Sequence, residues 1–211
     1  MTNLDPSSLD EWHRGDWMQT HSGLAFYPLD PAPEDIVPTD VAHSLAMQCR
    51  YNGHVRRFYS VAEHCVLMSD WILENPAAVL GFPPQLVSVS DLAAVRQLAL
   101  WALLHDAAEA YIGDMVRPLK VNMPAFVALD ELVTTAVARR FALDDAVIPS
   151  AVKAVDTRIL LDERAALLGA PPRDWQLGAL EPLGVKIRGW EPAIAKWEYI
   201  ARLKALGVDI S

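Results

Sequence analysis

Leu98-Ala99-Leu100-Trp101-Ala102-Leu103-Leu104-His105-Asp106-Ala107-Ala108-Glu109 runs seven apolar residues straight into a histidine, an aspartate and, one turn on, a glutamate. A surface helix keeps one polar face, so a helix that is apolar all round is a buried, central one. That predicts an all-α fold, a bundle of about six main helices built around this segment. The helix is expected to start near Ser90 or Asp91 and to end near Gly113, ahead of Pro118. At helical spacing His105 and Glu109 lie one turn apart and Asp106 three residues from Glu109, so all three face one pocket.

Helical patterns flank the segment on both sides. A helix is expected from Asp40, with Val41, Leu45 and Cys49 at i, i+4 and i+8 and a stop at Gly53. A second runs over residues 60–73, where Val61, Cys65, Met68 and Ile72 form one stripe. Beyond the central helix, residues 124–141, 149–168 and 190–206 read as helices, the middle one with proline in its first turn, where it is tolerated. Residues 74–89 hold Pro76, Gly81, Pro83 and Pro84 and read as a loop. In residues 169–189 a weak alternation of Val185, Ile187 and Gly189 suggests a short hairpin. Prolines at 6, 28, 31, 33 and 38 exclude a long helix from residues 1–38. That stretch is expected to be an extended arm, packed through Trp12, Trp17, Phe26 and Tyr27 on a single domain spanning 39–211.

Composition sets limits on function. At about 150 residues per domain, 211 residues are one domain's worth, and 52% apolar residues can fill its core. A net charge of −9 disfavours a protein that coats nucleic-acid polymers, which must displace counterions with a basic surface. A small anionic substrate fits if a few cations converge on it. Cys49 and Cys65 are too few for a secreted disulfide framework. The N-terminus lacks a charged-then-apolar leader, and the longest apolar run is too short to span a bilayer. The expectation is a cytoplasmic protein with no membrane association.

Burying an imidazole and two carboxylates without partners is costly. A divalent cation resolves the conflict, because it compensates the carboxylates and accepts a neutral imidazole. Further ligands must come from elsewhere. His64 follows Ala62 and Glu63 on the second helix, and Asp156 follows Val155 on the fifth, each breaking an apolar face. His64, His105, Asp106 and Asp156 thus offer two nitrogens and two oxygens from three helices, a set that suits Mn, Fe, Co, Ni or Zn better than Mg or Ca. Each residue also has a plainer reading: a buried histidine can be a hydrogen-bonded core residue, and Asp156 can pair with Arg158 or Lys153. Lys120, Lys153 and Arg50 beside such a pocket fit binding of phosphate oxygens, and the alternative for them is ordinary salt bridging.

The ordered set His64, His105-Asp106, Asp156 resembles the HD phosphohydrolase superfamily, and the resemblance covers roughly residues 40–204. Glu109 and Gly113-Asp114 are similar to the segment of bacterial 5′-deoxynucleotidases, where Arg50-Tyr51 looks like the nucleotide-serving Arg-aromatic pair, with Tyr in place of that branch's usual Trp. A closer likeness, in Ala42-His43 through Arg50, Gly53-His54 and residues 57–64, is to phage and bacterial HD proteins that include dATP triphosphohydrolases.

The resemblance implies a metal-dependent deoxynucleotide phosphohydrolase. A dNTP, dATP first, is the expected substrate; a 5′-deoxynucleotidase or a non-hydrolysing nucleotide-binding HD protein are the alternatives. It implies one protein-held Co, Mn or Zn ion (or Fe or Ni) on His64, His105, Asp106 and Asp156, with Mg arriving on a triphosphate. Glu109 is then the general acid or base, and Asp114 holds the sugar 3′-hydroxyl or a ligand. Lys120, Lys153 and Arg50 neutralise phosphate, and Tyr51 stacks on base or sugar. The partner expected is a small nucleotide, and the assembly a homo-oligomer, dimer or hexamer.

Overall fold

A computed structural model describes residues 15–143 and 147–210. It is mostly helical, as an all-α fold requires. The chain opens with a two-residue-per-strand hairpin, β1 (Met18–Gln19) and β2 (Ala25–Phe26), paired antiparallel with Met18 opposite Phe26. There follow α1 (Pro38–Met47), α2 (Val61–Glu74), the short α3 (Pro76–Leu80), α4 (Val89–Leu104), and the short α5 (Glu109–Ile112) and α6 (Arg117–Lys120). The long α7 (Pro124–Arg140), α8 (Ser150–Leu167) and α9 (Pro192–Ala205) complete the described elements.

Start signals account for most of these boundaries. Ser60 caps α2, its hydroxyl accepting from the Glu63 N–H at 3.0 Å. Ser88 and Asp91 form a reciprocal capping box at α4. Pro38, Pro124 and Pro192 stand at first-turn positions, where no intrahelical N–H is lost. Residues 74–89 are not all loop: Pro76 opens α3, and Gly81, in the left-handed conformation, closes it.

The centre of the core is α4, whose consecutive residues Ala99, Leu100, Trp101, Ala102, Leu103 and Leu104 are all buried. It packs most extensively on α2, while α9 crosses α1 and α2, and α8 meets both α2 and α4. Tyr199 of α9 is fully buried, and its hydroxyl donates to the Leu103 carbonyl at 2.6 Å.

Three expectations need correction. The central helix does not continue to Gly113. After Leu104 the chain tightens into i→i+3 bonds (Ala107 N–H to Leu104 O, Glu109 N–H to Asp106 O) before α5 begins, so the His-Asp pair sits on a tightened turn at the end of α4. Residues 185–189 form no hairpin, because the N–H groups of Arg188, Gly189 and Trp190 all point at the Glu63 carboxylate. The hairpin lies in the arm instead, closed by Thr20 N–H to Leu24 O and Gly23 N–H to Thr20 O.

The arm's aromatic residues also divide. Phe26 is fully buried and stacks on Tyr111 with ring centroids 3.8 Å apart. Trp17 is 58% exposed, contrary to the packing expected of it. Trp12 and Pro6 lie outside the described residues.

Candidate metal centre

The packing of α2, α4 and α8 brings His64, His105, Asp106 and Asp156 to one point. His64 is fully buried near the start of α2, and its Nε2 lies 3.3 Å from His105 Nε2 and 3.2 Å from Asp156 Oδ1. His105 Nε2 lies 3.2 Å from Asp106 Oδ2 and 4.0 Å from Asp156 Oδ1. Asp106 Oδ2 is 3.8 Å from His64 Nε2. The two histidines are closed off from solvent, while the Asp156 side chain, 39% exposed, opens the cluster on one side.

The outer nitrogens decide the state of both rings. His64 Nδ1 faces Glu163 Oε1 at 2.6 Å, and His105 Nδ1 faces the Ala102 carbonyl at 2.8 Å. Both partners are acceptors, so each Nδ1 carries the ring proton. In neutral rings this leaves two bare Nε2 lone pairs and two carboxylate oxygens turned towards one another, with no donor among them. Two bonds of about 2.0–2.1 Å from one ion, at tetrahedral or octahedral angles, place their nitrogens roughly 2.9–3.4 Å apart. The observed separations fit that spacing, and the donor set fits a divalent transition ion. His64, His105 and Asp156 form one group able to hold an ion, and Cys65 with His105 and Asp106 form an overlapping one.

The electrostatics agree that this pocket collects positive charge. Burial opposes a charged His105, yet Asp106 and then Cys65 outweigh it and raise the imidazole well above its ordinary pKa. At His64, burial and Arg50 work against the charge, and Glu163 and Asp156 still bring the net shift upward. Burial also acts on Asp106, where His105, His64 and Arg50 hold the carboxyl far below the usual range. Buried Cys65 is pushed up to about 11, chiefly by desolvation, and stays a thiol.

Glu109, at the first position of α5, is the opposite case. It is buried, its Oε2 has no hydrogen-bond partner, and desolvation with the charges of Asp106 and Asp114 pushes its carboxyl well above the usual range. A carboxyl kept protonated in this way can give a proton. Asp114, just past α5, is raised as well, by burial first and by Asp106.

The expected substrate residues separate. Arg50 lies against the cluster, its Nη1 donating to Asp106 Oδ2 at 3.2 Å. Tyr51 follows it on a turn where Tyr51 and Asn52 both have left-handed backbone (φ 58° and 50°), and its hydroxyl donates to Glu163 instead of standing free to stack. Lys120 is engaged with Asp130 of α7 at 3.0 Å. Lys153 is exposed on the first turn of α8 and makes no ion pair among the described residues, so the structure does not draw it into the cluster.

Two residues escaped the sequence reading. Glu163 is fully buried on α8, two turns beyond Asp156, and that i+7 spacing was the available signal. Gln48 at the end of α1 bridges the chain on either side of α5. Its Nε2 donates to the Glu109 carbonyl at 2.9 Å, and its Oε1 accepts from the Asp114 N–H at 3.0 Å. No spacing rule pointed to it.

No family model matches the chain. It is 34% identical over 151 residues to "Uncharacterized protein YfdR" of Escherichia coli (strain K12), covering 72% of each chain. It is 38% identical over 149 residues to "Uncharacterized protein RCAP_rcc00048" of Rhodobacter capsulatus, covering 67% of each. With that identity over about two thirds or more of each relative's length, the chain belongs to the family of the Escherichia coli protein YfdR.

Proposed function

We propose that the protein is a metal-dependent deoxynucleotide phosphohydrolase of the HD type, acting on a dNTP, dATP first, to give deoxynucleoside and triphosphate. The observation that carries this reading is the meeting of His64, His105, Asp106 and Asp156 from three helices, close to a buried carboxyl, Glu109, that has no partner for Oε2. A divalent ion on the four ligands supplies Lewis-acid polarisation of a phosphoryl oxygen. Glu109 holds a proton for the leaving oxygen, and Gln48 fixes the backbone on both sides of it. Arg50 sets the orientation of Asp106 and adds positive charge near the phosphates. Exposed Lys153 stands at the rim, three residues before Asp156, where a longer phosphate chain would reach.

A 5′-deoxynucleotidase is the second reading, and the Lys120–Asp130 pair favours it, because a cation already engaged is less available to a triphosphate. One assay separates them: release of phosphate and triphosphate from dNTPs, NTPs and dNMPs with Co, Mn, Zn or Mg. Triphosphate from dATP with Co or Mn supports the first reading. Phosphate from dNMPs alone moves the protein to the second. No release from any substrate, with metal bound, leaves a nucleotide-binding protein without turnover.

A further inference from the structure

We infer that Glu163 is a positioning residue for the metal centre, fixing His64 as a ligand and tying it to the Arg50–Tyr51 turn. The inference rests on the metal reading above and does not need the hydrolase reading. Glu163 is fully buried, and both of its oxygens are used. Oε1 accepts from Tyr59 Oη at 2.9 Å and meets His64 Nδ1 at 2.6 Å. Oε2 accepts from Tyr51 Oη and lies 3.6 Å from Arg50 Nε.

A fully buried carboxylate is a costly way to fill space, and apolar packing of the same volume is commonly at least as stable. What an apolar residue cannot do is hold the proton of His64 on Nδ1. With that proton fixed, the Nε2 lone pair is turned on His105, Asp106 and Asp156, and the ring is made more basic towards a cation. Arg50 then extends the effect. It lies against Glu163 on one side and donates to Asp106 Oδ2 on the other, so contacts run from His64 through Glu163 and Arg50 to Asp106, joining two ligands behind the cluster. Tyr51 reaches Glu163 from backbone that non-glycine residues rarely adopt, and strain of this kind persists only where surrounding contacts enforce it.

The test is cobalt affinity, read by Co(II) absorbance titration of the full chain. E163A is expected to bind about 10- to 100-fold more weakly than wild type, the usual effect of losing a histidine's outer partner. E163Q recovers most of the loss, since its amide oxygen still accepts from Nδ1. Y59F removes another donor to the same oxygen and leaves the affinity unchanged. E163A with its wild-type circular dichroism and wild-type cobalt affinity overturns the inference, as does equal weakening by Y59F.

A measurement without any substitution covers the case in which E163A does not fold. In the zinc-loaded wild type, ¹⁵N spectra of the histidine rings should place the His64 proton on Nδ1, and a proton on Nε2 overturns the inference. The two readings fail separately. A chain that loses cobalt affinity in E163A but hydrolyses no nucleotide overturns the hydrolase reading alone, and a hydrolase whose E163A keeps its metal overturns this one alone.

Discussion

Glu109 and Glu163 are both buried carboxyl groups beside one cluster, and their surroundings push them in opposite directions. Glu163 is desolvated, but Arg50, His64 and Tyr51 hold its carboxyl below the usual range. Glu109 has no such neighbours, and desolvation with Asp106 and Asp114 raises it. A carboxyl raised in the folded state contributes stability fully below its unfolded pKa and loses it as pH rises through the folded value. Glu109→Gln, permanently neutral, should therefore melt close to wild type at pH 4 and above it at pH 8, in chelator-treated protein followed by calorimetry. An advantage that shrinks as pH rises would show that Glu109 is not held neutral. In the phosphate-release assay the same substitution should cut turnover about a hundred- to ten-thousandfold with metal still bound. Glu109 was legible in the sequence because it interrupts an apolar stretch one turn from His105. Gln48 was not: its contacts span 61 and 66 residues of chain, and no local pattern encodes them.

At the scale of elements, the six long helices were legible because each carries a 3.6-residue apolar stripe and most begin at a proline or a serine cap. What the pattern misjudged was the connections. Val185 and Ile187 alternate like a strand, but residues 188–190 are shaped by a single side chain. Glu63, fully buried on the first turn of α2, accepts the N–H of Arg188 at 2.7 Å, of Gly189 at 2.9 Å and of Trp190 at 2.6 Å. This pins the segment entering α9 next to the helix that carries His64. Gly189 suits the site: its φ is +68°, and a Cβ there would lie 3.1 Å from the Phe58 carbonyl oxygen. Removing the carboxylate leaves three N–H groups without their acceptor, so Glu63→Ala should cost about 3 kcal/mol. For a chain of this length that lowers the melting temperature by about 6–12 °C. A melting curve for Glu63→Ala that overlays wild type would show that the segment is held by its apolar contacts alone.

For the whole molecule, the candidate ligands lie far apart in sequence, at 64, 105–106 and 156, and come together only when α2, α4 and α8 pack. The unfolded chain therefore offers no comparable site, and an ion that binds the folded state adds its binding energy to folding. At a free metal concentration about a hundredfold above the dissociation constant this amounts to about 2.7 kcal/mol, and hence to a rise of about 5–10 °C in melting temperature. Calorimetry in Mn(II) or Co(II) against the same protein in chelator measures it directly. His105→Ala should abolish the difference, because it removes a nitrogen that faces both His64 and Asp106. Asp156→Asn should only reduce it, because that side chain is the most exposed of the four and an amide oxygen can still coordinate. Lys153→Ala, on the same helix but outside the cluster, should leave it intact. A metal-dependent rise that survives undiminished in both His64→Ala and His105→Ala would place the ion elsewhere in the molecule, and the assignment of the three-helix junction as a metal centre would fall with it.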